Sequence, residues 1–117
     1  MELVRRSLLP SLCPSPAQAP QPVTVGLVQS RWHAQDKTHK ERLAEGVAAA
    51  ANAGASIVFL PELTLSRYPA DTRPEGRADL SAEPLTGGPT HTFASELAVA
   101  NDVLVHASLY EHTGATD

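Results

Sequence analysis

The chain has 117 residues, which is enough for one small domain with a hydrophobic core and too few for two. Hydrophobic residues make up 42% and charged residues 19%, the composition of a soluble globular protein. The net charge is -4 without any block of like charge, and no apolar run approaches the length of a membrane span, so the sequence indicates neither a nucleic-acid nor a membrane partner. Cys13 is the only cysteine, so no intramolecular disulfide can form and we expect a cytoplasmic protein.

The first segment, residues 1–22, differs from the rest in composition. Five of the ten prolines fall there, and no hydrophobic period continues through them. We interpret this segment as a disordered, proline-rich leader. The apolar stretch that follows Arg5 and Arg6 is broken by Pro10, which makes it too short for a secretion signal.

Regular structure is predicted to begin at Val23. Residues 23–29 are almost wholly apolar, which suits a strand covered on both faces. A helix follows, in which Asp36 or Thr38 is the predicted N-cap and Thr38 with Glu41 forms a capping box. The residues that repeat at helical spacing and form its buried stripe are Leu43, Val47, Ala50 and Ala51.

The end of this helix is predicted at Gly54, which is free to take the left-handed conformation of a helix C-terminus. A second strand over residues 57–60 completes a βαβ unit. Residues 64–88 contain three prolines and three glycines and are predicted to form a long loop.

A second helix is predicted from Pro89 or Thr90 to Asn101, and a third strand over residues 103–109. The helix residues predicted to face inward are Phe93, Leu97 and Ala100. The whole order, a βαβ unit followed by a loop, a helix and a strand, predicts an α/β fold with its chemistry at the carboxyl ends of the strands.

Glu62 lies at such an end, directly after the second strand and Pro61. A carboxylate in that place is a candidate catalytic acid or base. Most glutamates that follow a strand are instead solvated or cap a helix, so the pattern by itself leaves both interpretations open.

Residues 54–63, Gly-Ala-Ser-Ile-Val-Phe-Leu-Pro-Glu-Leu, follow an alanine-rich helix and resemble the first catalytic motif of the nitrilase, or carbon–nitrogen hydrolase, superfamily. Residues 25–29 are similar to the first strand of that family. Residues 105–111 resemble its third strand, as written in the carbamoylputrescine amidase and ureidopropionase branch. Tyr68, with the proline after it, also fits. The resemblance covers residues 23–117 and implies the amino-terminal, incomplete part of a four-layer α-β-β-α sandwich.

The resemblance also implies a reaction. Members of the family hydrolyse small linear amides, N-carbamoyl compounds or nitriles with a Glu-Lys-Cys triad and without a metal or cofactor. The cysteine attacks the carbon, the glutamate acts as general base, and the lysine stabilises the tetrahedral intermediate. Glu62 is the residue to which the general-base role carries over, and we expect the complete enzyme to be a homo-oligomer.

The other two triad members have no counterpart in the chain. Cys13 precedes the first strand in the leader, where nothing would hold it in place. Lys37 and Lys40, the only lysines, belong to the exposed side of the first helix. We therefore expect the chain alone to be inactive, with the lysine and the cysteine encoded beyond Asp117.

Three further residues are candidates for the same site. Tyr68 and Arg67 are predicted to line a substrate pocket, Arg67 by meeting a carboxylate, although loop arginines are usually solvated. Glu111 is predicted to end the third strand as Glu62 ends the second, which would give it a supporting role. The five histidines show no metal-ligand spacing, and His106 is interpreted as a hydrogen-bonded core residue.

Two alternative functions remain open. A catalytically inactive fragment would bind a partner, or a full-length copy, through an exposed sheet edge, because the last predicted strand lacks a neighbour. A glycoside hydrolase would use Glu62 and Glu111 as its carboxylate pair. That enzyme also needs an aromatic sugar platform, and the chain has only two Phe, two Tyr and one Trp.

Overall fold

Three parallel strands and two helices make up the computed structural model, which describes residues 1–6, 21–68 and 81–112. The elements, in chain order, are β1 (Val25–Leu27), α1 (Asp36–Asn52), β2 (Ile57–Phe59), α2 (Pro89–Asn101) and β3 (Leu104–His106). The strands form one parallel sheet in the order β1-β2-β3. This confirms the predicted α/β class and the order of its elements, with each strand shorter than predicted.

The two helices cover one face of the sheet. Helix α1 packs on β1, β2 and α2, and α2 packs on β3. The residues that face the helices are Gly26, Val58 and Val105, which lie side by side in the strand register. Val58, in the central strand, is completely buried, and the core around it is built from Leu43 and Val47 of α1 and Leu97 of α2.

The opposite face of the sheet is exposed. We call it the open face and define it by the outward-pointing residues of the three strands: Val25, Leu27, Ile57, Phe59, Leu104 and His106. Leu27 is 79% exposed and Leu104 is 68% exposed. The prediction that β1 is covered on both faces is therefore wrong for the described residues, because both helices pack on the same side. His106 was predicted in the core and lies on the open face, where its ring contacts that of Phe59 with centroids 4.9 Å apart.

Helix α1 begins before the predicted capping box. Its N-cap is Gln35, which makes no side-chain cap bond, and Thr38 lies inside the first turn with its hydroxyl donating to Gln35 Oε1 at 3.3 Å. Both predicted N-caps are therefore wrong. Asp36 is instead the first helical residue, where the positive end of the helix dipole stabilises its carboxylate. Its Oδ2 also forms an ion pair with Lys40 Nζ at 2.9 Å.

The buried stripe and the end of α1 match their predictions more closely. Leu43, Val47 and Ala50 are buried, and Ala51 is half-buried. Gly54 follows the C-cap with φ at 91°, which confirms the predicted left-handed glycine.

Helix α2 has the predicted bounds but a different buried stripe. Leu97 is buried and Phe93 is half-buried, as predicted, whereas Ala100 is exposed. After Leu97 the stripe continues at Asn101, four residues on, and not at Ala100, three residues on. Asn101 is half-buried, and its Nδ2 donates to the carbonyl of Leu97 at 2.8 Å.

The predicted leader and loop are described only in part. Arg5 donates Nη2 to the carbonyl of Ala53, at the C-terminal end of α1, at 2.7 Å. Residues 7–20, most of the predicted leader, lie outside the described residues, as do residues 69–80 of the predicted loop. Residues 81–88 return to the sheet through a parallel bridge between Glu83 and Glu111.

Candidate active site

Glu62 lies beyond the carboxyl end of β2, the central strand. The chain leaves the sheet at Leu60, which is buried and donates its N–H to the carbonyl of His106 at 2.9 Å. Pro61 follows, and Glu62 is then exposed. Its carboxylate makes no hydrogen bond or ion pair with the described residues, so both oxygens are open to a ligand or to water.

The turn after Glu62 is tied to the chain that follows β3. Leu63 donates its N–H to Ser108 Oγ at 2.7 Å, and Thr64 donates its N–H to the carbonyl of Ser108 at 3.0 Å. Ser108 returns a bond from its own N–H to Thr64 Oγ1 at 3.2 Å. The Thr64 hydroxyl donates to the carbonyl of Pro61 at 3.0 Å, which closes the turn around Glu62.

His39 holds the same turn from the side of α1. Its side chain is 4% exposed, and Nε2 lies 2.8 Å from the carbonyl of Thr64. Because a carbonyl can only accept, Nε2 carries the hydrogen. The ring of Trp32 packs on the imidazole with centroids 4.3 Å apart. His39 Nδ1 is buried and has no hydrogen-bond partner among the residues that the structure describes.

These residues surround an open cleft of about 440 Å³. One wall comes from the loop after β1, with Ser30 and Trp32, and the other comes from the loop after β2. Glu62 and Tyr68 both line the cleft, together with Arg67. The structure thus brings together the predicted base and the predicted substrate-binding tyrosine.

Other predicted site residues lie elsewhere. Glu111 is exposed beyond the end of β3, where it bridges to Glu83, and it does not line the cleft of Glu62. Both lysines form ion pairs within α1, Lys40 with Asp36 and Lys37 with Glu41, where Nζ lies 3.9 Å from Oε1. Cys13 and residues 69–80 lie outside the described residues. The supporting role of Glu111 therefore stays a prediction.

The arrangement offers a proton acceptor inside a partly aromatic cleft. Glu62 can take a proton from a group bound beside it, and Trp32 and Tyr68 provide apolar surface with a polar edge. In residues 1–6, 21–68 and 81–112, no group of three or more His, Cys, Asp or Glu residues is placed to hold a metal ion. Neither helix in these described ranges has the length and hydrophobicity that a membrane span requires.

Sequence reasoning missed the residues that hold the turn, namely His39, Thr64 and Ser108. The burial of His39 could have been predicted from its spacing, because it lies four residues before Leu43, on the same side of α1 as the buried stripe. Thr64 and Ser108 carried no such signal, because they are 44 residues apart and meet only through the sheet.

A scan of protein-family models and a search of curated proteins each found no match to this chain. The function of the cleft is therefore inferred from the sequence motif and from the geometry around Glu62.

Proposed function

We propose that this chain is the amino-terminal part of a carbon–nitrogen hydrolase domain in which Glu62 is the general base. The observation that carries the proposal is the exposed carboxylate of Glu62, which lies in a cleft at the carboxyl end of the central parallel strand. Ligands and catalytic groups collect at this edge of α/β sheets, because the loops there vary while the sheet holds their ends. The motif at residues 54–63 supports the same role.

In the proposed reaction, Glu62 takes the proton of a cysteine thiol as the thiol attacks an amide, carbamoyl or nitrile carbon. It passes that proton to the substrate nitrogen, which leaves as ammonia or an amine. Once the thioester has formed, Glu62 takes a proton from the water that hydrolyses it and returns that proton to the departing cysteine sulfur. The cysteine and the lysine of the triad would be encoded after residue 117. Tyr68 would line the substrate pocket, and a cleft of about 440 Å³ suits a small linear molecule.

The open face supports the finer fold that we propose, a four-layer α-β-β-α sandwich. Parallel sheets are normally covered on both faces, and here only the helical side is covered in the described residues. A second sheet packed on Leu27, Phe59 and Leu104 would complete the layers. The proposal further places the complete enzyme in the cytoplasm, as a homo-oligomer that uses no cofactor.

Substitution of Glu62 tests the proposal in the chain extended through the sequence encoded after residue 117. That sequence should supply a lysine and later a cysteine, each after a strand. Glu62→Gln should lower kcat for ammonia release by about 10²- to 10⁴-fold, the usual contribution of a general base, with an unchanged melting temperature. Glu96→Gln, at an exposed position on α2, is the matched control and should leave kcat unchanged.

Near-normal turnover by Glu62→Gln would show that Glu62 is not the base. An extension without a lysine and a cysteine in that order would also contradict the proposal.

A second candidate, a binding fragment without catalysis, is favoured by a different observation. β3 pairs only with β2 among the described strands, so it leaves an edge to which another strand could add. Gel filtration of the unextended chain separates the two candidates: a binding fragment should elute as one discrete species, and an incomplete domain should aggregate. No contact favours a glycoside hydrolase, because Glu62 and Glu111 do not share a cleft.

A further inference from the structure

We propose that Ser108 and His39 are positioning residues that hold the turn carrying Glu62 in a conformation that the turn would not keep alone. That this positioning matters for catalysis rests on the proposed role of Glu62 as general base. That Ser108 and His39 hold the turn rests on their contacts with Leu63 and Thr64.

Leu63, the residue after Glu62, has φ at 50°. This left-handed conformation is unfavourable for leucine, because its Cβ atom crowds the following carbonyl oxygen. Such a conformation persists where the surrounding structure holds it, and residues of this kind cluster at functional sites. The strained residue here is the immediate neighbour of the proposed base.

Ser108 is the first of the two holding residues. Its hydroxyl oxygen accepts the N–H of Leu63 at 2.7 Å, and its backbone makes two bonds to Thr64. Only the bond to Leu63 uses the Ser108 side chain. Replacement by alanine therefore removes the bond to the strained residue and leaves the two backbone bonds in place.

His39 is the second holding residue and acts from another element. Its Nε2–H donates to the carbonyl of Thr64, and the imidazole is fixed by burial in α1 and by the ring of Trp32. The turn is thus held by α1 on one side and by the chain after β3 on the other. Since Thr64 also bonds to Pro61, the backbone of Glu62 is constrained both before and after it.

The test measures backbone amide hydrogen exchange and NMR signals in the chain extended through the sequence encoded after residue 117, because the 117 residues alone are expected to aggregate. Ser108→Ala should speed exchange of the Leu63 amide by about 2- to 10-fold, the equivalent of one lost hydrogen bond. The Thr64 amide, which bonds to the Ser108 carbonyl, should exchange as before and serves as an internal reference. The backbone and carboxyl signals of Glu62 should shift, whereas a purely structural serine would leave them in place.

Ser30→Ala is the matched control, because Ser30 lines the same cleft and, within the part of the chain that the structure describes, its hydroxyl donates only to the neighbouring carbonyl of Arg31. It should leave Leu63 exchange and the Glu62 signals unchanged. Ser108→Thr keeps a hydroxyl and should restore slow exchange. Leu63→Gly combined with Ser108→Ala should return the Glu62 signals toward those of the parent chain, because glycine adopts positive φ without strain.

His39→Gln provides an independent variant should Ser108→Ala fail to fold, and it should shift the same Glu62 signals. Unchanged Leu63 exchange and unchanged Glu62 signals in the folded variants would overturn the inference. That result is distinct from failure of the proposed function, which is read from the turnover of Glu62→Gln alone.

Discussion

At Gly26, the absence of a side chain sets how closely α1 packs on β1. A Cβ atom at this position would lie 2.6 Å from the Cβ of Ala50 and 3.3 Å from Cγ2 of Val58. Gly46 of α1 has the same effect on the helix side, since a Cβ atom added there would lie 2.6 Å from Cγ1 of Val28. These two glycines allow the backbone of α1 to approach the sheet next to the fully buried Val58.

Gly26→Ala should therefore lower the free energy of unfolding by about 1–3 kcal/mol, the usual cost of overpacking a core. Urea denaturation measures the change. Leu27→Ala is the control, because the neighbouring side chain points to the open face and should change stability by less than about 0.5 kcal/mol. If both variants lost the same free energy of unfolding, the close approach of α1 at Gly26 would not be the cause of the destabilisation.

Among the elements, α2 is capped by a side chain from the segment that leads into it, seven residues before the capped position. The carboxylate of Glu83 accepts the N–H of Thr90 at 2.8 Å and also accepts the Thr90 hydroxyl. Gly88 permits this approach, since a Cβ there would lie 2.9 Å from Glu83 Oε2. The backbone of Glu83 pairs with Tyr110 and His112, so one residue links the start of α2 to the chain after β3.

Glu83→Ala should lower the free energy of unfolding by about 1–3 kcal/mol, because the polar groups of Thr90, which is 1% exposed, lose their acceptor. Thermal unfolding followed by circular dichroism measures the effect. Glu83→Gln keeps one acceptor oxygen and should lose less. Glu96→Ala, exposed on the same helix, is the control. If Glu83→Ala melts as Glu96→Ala does, the cap contributes little to stability.

At the scale of the molecule, the open face is an apolar surface that the described helices leave uncovered. It presents Leu27 beside Phe59, and Leu104 in the next row beside Ile57, whereas parallel sheets are usually buried on both faces. Exposed apolar patches of this kind drive association. In the proposed hydrolase domain, the same residues would lie against the second sheet.

Leu27→Lys combined with Leu104→Lys should reduce both the binding of a hydrophobic fluorescent dye and the self-association of the chain, measured by light scattering. The charges interrupt the patch without entering the helical core, so stability should change little. Val99→Lys replaces an apolar residue that is 86% exposed on α2, outside the open face, and should leave both signals unchanged. Equal effects of the two changes would indicate that the open face has no special part in association.

Short-range patterns in the sequence determined the order and type of the elements. The apolar stripe of Leu43 and Val47 predicts α1, and Gly54 predicts its end, because each depends on residues within a few positions of one another. The details at helix ends were harder: Asp36 or Thr38 was predicted to cap α1, but the N-cap is Gln35 and Asp36 is the first helical residue. Ala100 was predicted inward because spacings of three and four residues are both compatible with one helix face.

For the candidate site, the sequence by itself determined that Glu62 follows an apolar strand and that Tyr68 is near it in the chain. Tertiary structure decided which residues surround them. Ser108 reaches Leu63 across 45 positions, and His39 reaches Thr64 across 25, because neighbouring parallel strands and α1 bring separate segments to one edge of the sheet. The open face was decided in the same way: strand patterns show which residues are apolar, but only the packing of both helices on one side determines which of them stay exposed.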